Sequence, residues 1–185
     1  MHISYNKSKK GVTIKQSSNY VNIELKNKYY DLNLDYPKFF KMDNLCKLGI
    51  LGVELLLREN RGFFENKKNV GIIFQNKSSS LDSDLEHQSG MENNTVSPAV
   101  FVYTLPNVVI GEISIRHKWK SEGVFFVGED IDHELLSQYS NILLKEIRSE
   151  LNIIGWIDVF NNQYVLKLCA VDKQVTHMQL KELLA

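Results

Sequence analysis

The chain has 185 residues, 43% of them hydrophobic and 24% charged, enough for one domain with a real core. Basic and acidic residues number 22 each, so no global field draws it to nucleic acid or an anionic membrane, and one barrier to self-association is absent. Two distant cysteines, Cys46 and Cys169, form neither a metal-type pair nor a disulfide framework, and a reduced, cytoplasmic setting is expected. The first ten residues lack the apolar run of a signal peptide. Leu45 to Leu57 is interrupted by Lys47, Gly49, Gly52 and Glu54 and is too short to span a bilayer.

In chain order, Val12 and Ile14, then Val21, Ile23 and Leu25, alternate with polar residues, which predicts a β-hairpin turning near Ser17-Ser18-Asn19. Tyr29 through Phe40 is aromatic, and Pro37 disfavours helix at Tyr36, so an irregular segment on the core is expected. Asp43 caps a helix over Asn44 to Arg58, in which Gly49 and Gly52 allow close packing. Val70 to Phe74 reads as a strand covered on both faces. A polar loop follows and becomes a helix start; Gly90 to Val96 is a connector. Pro98 suits the first turn of a helix over Ala99 to Leu105, and Asn107 to Lys118 is a second helix. Val124 to Val127 is another buried-strand candidate. Asp132 caps an amphipathic helix with Leu135, Leu136, Tyr139, Ile142, Leu143 and Ile147 on one side. Ile153 to Val159 and Tyr164 to Val171 pair as strands about Asn161-Asn162, and Thr176 to Leu184 is a closing helix. Helices alternating with strands indicate α/β, with a parallel sheet and an antiparallel edge. Residues 1–185 are expected as one domain, a hairpin and aromatic lead-in over 1–42 and an α/β core over 43–185.

Two stretches, Val70 to Asp84 and Ser97 to Ile115, resemble the N-terminal half of β-ketoacyl synthases, members of the thiolase-like superfamily. In that family a strand ends in a polar loop, followed by S-P-x-x-F and by N-x-x-x-G at the head of a helix. Pro98, Phe101, Asn107 and Gly111 match this spacing. The resemblance covers roughly residues 43–172 and implies a thiolase-like half-fold, a layered mixed sheet flanked by helices, behind the N-terminal hairpin. It also implies fatty-acid or polyketide-type biosynthesis, with an acyl carrier protein or a full-length ketosynthase as partner, or a homodimer. No cofactor is implied.

The sequence departs from the family twice. Ketosynthases carry their nucleophilic cysteine at the strand-to-helix turn that here follows Val127, where this chain reads Gly128-Glu129-Asp130-Ile131-Asp132-His133. A carboxylate there accepts helix N–H bonds but forms no thioester. The family is also about twice as long, with its histidines in a C-terminal half, so no condensing activity is expected of this chain alone.

Glu129, Asp130 and His133 are the candidates for altered acid/base chemistry, against a plainer reading as charge favouring a helix start. Asn107 reads as a helix cap and Gly111 as a close-packing position. Ser78-Ser79-Ser80 with Asp82 and Asp84 read as helix capping. Arg116, Lys118 and Lys120, beside His117, form a basic cluster that suits an acidic carrier protein or simply a solvated helix end. Cys46 and Cys169 read as small buried hydrophobes, and His87, His117 and His133 lack metal-ligand spacing. An acyl-binding module is the third reading, with an apolar tunnel expected near Val100 to Ile110.

Overall fold

A computed structural model describes residues 2–6, 10–17 and 21–185, with side chains at 10–14 and 21–185. Its six strands form one mixed sheet in the order β1-β2-β6-β5-β3-β4. In the chain these are β1 (His2–Asn6), β2 (Gly11–Ser17), β3 (Val70–Asn76), β4 (Gly123–Val127), β5 (Leu151–Phe160) and β6 (Gln163–Val171). β3 lies parallel to β4 and β5, and the other pairings are antiparallel. Every residue of β3 is buried, as its apolar run requires of a strand between two helical layers. β5 and β6 join through Asn161-Asn162, whose φ values of 48° and 61° are those a two-residue hairpin loop demands.

On one face pack α1 (Val21–Asp31), α2 (Asn44–Glu59), the four-residue α3 (Arg61–Phe64) and α6 (Val108–His117); on the other, α7 (His133–Lys145) and α8 (His177–Leu183). α2 is the central helix of the first layer. Asp43 Oδ1 accepts from Cys46 N at 2.9 Å and starts it. Leu48, Ile50, Leu51, Val53 and Leu56 are fully buried along it, each contributing about 1.5–3 kcal/mol by leaving water. Side chains at Gly49 and Gly52 would collide with Val109 and Leu166, so both glycines set the approach of α2 to α6 and to the sheet. At the C-terminus, Thr176 and Gln179 close a reciprocal capping box on α8.

Four expectations need correction. The N-terminal hairpin exists, but its arms are β1 and β2. Val21 to Leu25 is helical: Val21, Leu25 and Tyr29 are the buried residues, four apart, while Ile23 is 54% exposed. Apolar residues at 21 and 25 satisfy both periods, and the stripe continuing at 29 decides for helix. Residues 18–19 of the expected turn lie outside the described residues. Tyr29 and Tyr30 belong to α1, and the irregular part of the aromatic lead-in is shorter, closing in a 3-10 turn over Pro37–Lys41.

The second correction concerns β4. It pairs with β3 alone and is an edge strand, exposed at both ends and half-buried between them. Third, α7 buries Leu136, Ser137, Ser140 and Leu143; Ile142 lies off that stripe, and Ile147 falls beyond the helix end and is 88% exposed. Fourth, α4 (Leu81–Glu92) runs into the expected connector, and α5 (Pro98–Val102) is shorter than its apolar sequence implies. No helix among the described residues is long and apolar enough to cross a membrane.

Candidate functional site

The connection from β3 to β4 runs over the α6 face, and that from β4 to β5 over the α7 face. The carboxyl ends of β3 and β4 therefore diverge into loops on opposite faces, the place where open α/β sheets hold ligands. The turn at which the sequence resemblance leads one to expect a cysteine, Gly128 to His133, lies here. Gly128 N donates to Asn76 O at 2.8 Å, and Asp132 N donates to Gln75 Oε1 at 2.8 Å. Gln75 and Asn76 are buried, and a side chain at position 128 would run into Gln75 Nε2. The Gln75 amide thus lies against this turn.

Beside it, Asn76 clamps the next turn. Its Nδ2 donates to Ser79 O at 2.8 Å and its Oδ1 accepts from Ser79 N at 2.9 Å, holding Ser79 at φ 50°. Asp158 of β5 accepts from Ser78 N at 2.9 Å and from Ser78 Oγ at 3.2 Å. Asp82 Oδ1 accepts from Asn161 N at 3.2 Å, and Ser80 Oγ donates to Thr104 O. These residues strap the β3–α4 loop across the sheet and do not cap α4 with their side chains, a correction to the capping expectation. The Ser80 hydroxyl donates to a carbonyl, and the Ser78 hydroxyl donates to the Asp158 carboxylate, which also accepts from Ser78 N.

Glu129 is 82% exposed at its side chain and ion-pairs with Lys77. Asp130 is exposed. Asp132 caps α7, its Oδ1 accepting from Leu135 N at 2.9 Å. Burial, then Lys181 and Lys167, lower the pKa of His133, with Asp132 opposing. Among the described residues no hydrogen bond or ion pair joins Glu129 or Asp130 to His133, and no three His, Cys, Asp or Glu side chains gather as a metal-ligand group.

The other motif residues are dispersed. Pro98 opens α5 behind the Ser97 cap, and Phe101 is 57% exposed with its ring 5.4 Å from His87. Asn107 makes no side-chain cap; its carbonyl alone receives Ile110 N and Gly111 N. Nothing lies within 4 Å of a side chain placed at Gly111, so the expected close packing there is absent. Arg116 turns inward to Glu54 and covers the Tyr36 ring at 4.6 Å, while Lys118 and Lys120 are exposed. Cys46 and Cys169 are buried, and burial pushes both thiols up, away from the thiolate form.

His117 stacks on Trp119 at 4.6 Å, with Nε2 3.4 Å from Glu54. Burial lowers its pKa, and Arg116 adds to this, while Glu54 opposes. The unfolded chain therefore takes up a proton near the ordinary histidine pKa more readily than the native one does. Stability falls as pH drops through that range and levels off below the native pKa. His117→Phe, which keeps the stack, is expected to flatten the slope of urea-melt stability between pH 7 and 5. An unchanged slope would place the titration at another group.

Sequence reasoning missed three polar pairs around α2. Asp43 caps the helix, and its Oδ2 accepts from Ser83 Oγ at 3.2 Å; burial raises its pKa. Lys38 Nζ lies 2.7 Å from the buried Glu112, and Lys47, almost fully buried, donates to Asn22 Oδ1 at 3.1 Å. Glu112 inside the apolar run of α6 was the one legible signal. A cleft of about 230 Å³ lies beside Asp43, Lys47, Ser80 and Glu86. A second, of about 110 Å³, reaches Val100 and Tyr103, whose hydroxyl burial pushes up to about 12. Lys41, Asp43 and Glu86 line that second cleft as well, and Val109, Ile110 and Ile113 are packed solid. The cleft along this segment is thus lined in part by charged groups, unlike the apolar tunnel expected for an acyl-binding module.

No family model matches the sequence, and no curated protein matches it. Solved structures do. The chain superposes on the ishigamide ketosynthase/chain length factor with a TM-score of 0.66 at 18% identity, over 74% of this chain and 46% of that one. On the Xenorhabdus doucetiae ketosynthase ApeO in complex with its chain length factor ApeC, the TM-score is 0.59 at 11% identity, over 93% and 78%. On AntDE:AntF, a polyketide acyl-carrier protein in complex with its ketosynthase bound to the hexaketide, it is 0.62 at 14% identity, over 89% and 61%. The chain thus spans about half the length of the first of these. At such identities the likeness speaks to the fold, and the fold of this chain is the thiolase-like half-fold of the ketosynthase and chain-length-factor proteins.

Proposed function

We propose that this chain is a non-catalytic partner subunit that docks on a ketosynthase in a fatty-acid or polyketide-type pathway. The turn after β4 carries this reading: where the resemblance puts a cysteine, Gly128 to His133 offers neither cysteine nor serine, and the Gln75 side chain lies against Gly128 and bonds Asp132. An acyl group has no thiol or hydroxyl there on which to form a thioester or ester. The apolar edge strand β4 supports a docking role, because an unpaired edge with Phe125 and Phe126 half-buried and Val127 56% exposed is a template for another chain. Ketosynthases and thiolases pair through such sheet edges.

The test combines a purified ketosynthase from the same host with mass spectrometry of the chain after incubation with acyl-carrier thioesters. A stable complex without acylation of the chain is the expected result. An acylated chain, or acyl-thioester turnover lost in Glu129→Gln, would instead establish the altered-chemistry reading. A monomer that binds neither ketosynthase nor carrier protein would overturn both.

A further inference from the structure

Lysines are almost never fully buried unless they are paired. Lys47 is only 4% exposed, yet among the described residues it makes no ion pair. Its Nζ donates to a neutral amide, Asn22 Oδ1, at 3.1 Å. Both partners of that bond line the cleft of about 230 Å³ beside Asp43, so the amine stands at the wall of a cleft. Val159, near the carboxyl end of β5, forms another part of the wall, and the first turns of α2 and α4 close over it. Open α/β sheets hold ligands at such strand ends.

Several features disfavour the ammonium form here. Burial strips its water. Lys47 is the fourth residue of α2, near the positive end of the helix dipole. Lys26 of α1 adds a like charge. Asp43 and Cys46 of α2 and Glu86 of α4 act in the opposite sense. Burial is the largest of these effects and holds the Lys47 pKa below the ordinary lysine value. An amine freed of its proton and reachable from a cleft is a nucleophile toward carbonyl carbon.

The lining sets the class of ligand. Asp43, Asp82 and Glu86 repel an anion and can accept from hydroxyl groups, while Met42, Leu45 and Val159 supply apolar wall. We propose that this cleft is a carbonyl-binding site, in which Lys47 holds a small, neutral, hydroxylated aldehyde or ketone as a reversible imine. The amine nitrogen adds to the carbonyl carbon, and one N–H proton passes to the oxygen. The hydroxyl then leaves with the second N–H proton as water, and the nitrogen lone pair forms the C=N bond. Nothing is oxidised or reduced, and hydrolysis by the reverse route releases the ligand. The site makes no use of the β4 edge, and the inference is independent of the docking reading above.

The experiment treats the full chain with dihydroxyacetone and sodium cyanoborohydride near neutral pH. The reductant adds hydride to the imine carbon and fixes the adduct, which peptide mass spectrometry then locates. Lys47 is expected to be modified about tenfold or more faster than the exposed Lys41 and Lys120, since one unit of pKa is tenfold in free amine. Its rate is expected to saturate with dihydroxyacetone, and in unfolding urea the preference is expected to vanish. Mapping on the wild type needs no variant that could fail to fold. With Lys41 as the internal standard, pyruvate, an anionic ketone, is expected to modify Lys47 several-fold more slowly than dihydroxyacetone does.

Modification of Lys47 no faster than of Lys41 and Lys120 would overturn the proposal and leave Lys47 a structural lysine. A preference that persists in urea would overturn it too, by tracing the reactivity to local sequence. Equal relative rates for pyruvate would overturn the neutral class of ligand. None of these outcomes touches the partner-subunit reading, which the ketosynthase binding test decides.

Discussion

Phe39→Ala is expected to destabilise the chain by about 3–5 kcal/mol, read as a lowered midpoint in urea with an unchanged slope. Phe39 is fully buried in the 3-10 turn after Pro37. Its ring stacks on Tyr29 at 4.6 Å and meets Phe40 edge-on at 5.7 Å. Tyr29 in turn receives Tyr36 N on its hydroxyl at 2.8 Å, which closes the lead-in upon itself. Removing the ring deletes the apolar burial and leaves a cavity that two ring neighbours cannot fill without breaking their own contacts. The lead-in belongs to the same core cluster as α2 and the sheet, so the loss is expected in one cooperative transition. A separate early transition, with α2 and the sheet still folded, would show the lead-in to be an independent unit.

Gly155→Ala is expected to cost about 3 kcal/mol or more, the upper end for overpacking. Gly155 sits in β5 opposite Leu168 of β6, and a side chain there would meet the backbone carbonyl oxygen of Lys167 as well as the Leu168 side chain. A carbonyl held in the sheet ladder cannot rotate away as a side chain can. β5 is also hydrogen-bonded to β3 on its other side, so the strand has no room to shift. Gly111→Ala is the control. Its helix position is exposed with empty surroundings, and the exchange is expected to stabilise by about 0.5–1 kcal/mol. Denaturant melts of the two variants should therefore move in opposite directions. A mild loss at Gly155 would mean that the β5–β6 pairing is looser than its register implies.

Much of the architecture was legible because single residues carried unambiguous local physics. Asp43, Asp132 and Thr176 announce helix starts, Asn161-Asn162 announces a hairpin, and Val70 to Phe74 can only be a strand covered on both faces. That no cysteine or serine stands between Gly128 and His133 was equally readable. The second arm of the hairpin was not, since Val21 and Leu25 fit two periods until Tyr29 is seen to complete the helical stripe.

The sequence by itself determined the order of helices and strands, the neutral charge and the missing cysteine, because each depends on residue identity and short-range spacing alone. Tertiary structure decided the rest. It made β4 an edge, turned Arg116 inward to Glu54, and set the Gln75 side chain against Asp132 and the Asn76 side chain against Ser79. Those outcomes depend on which strand ends lie side by side and which helix covers which face, and such distances are set only when the whole sheet has closed.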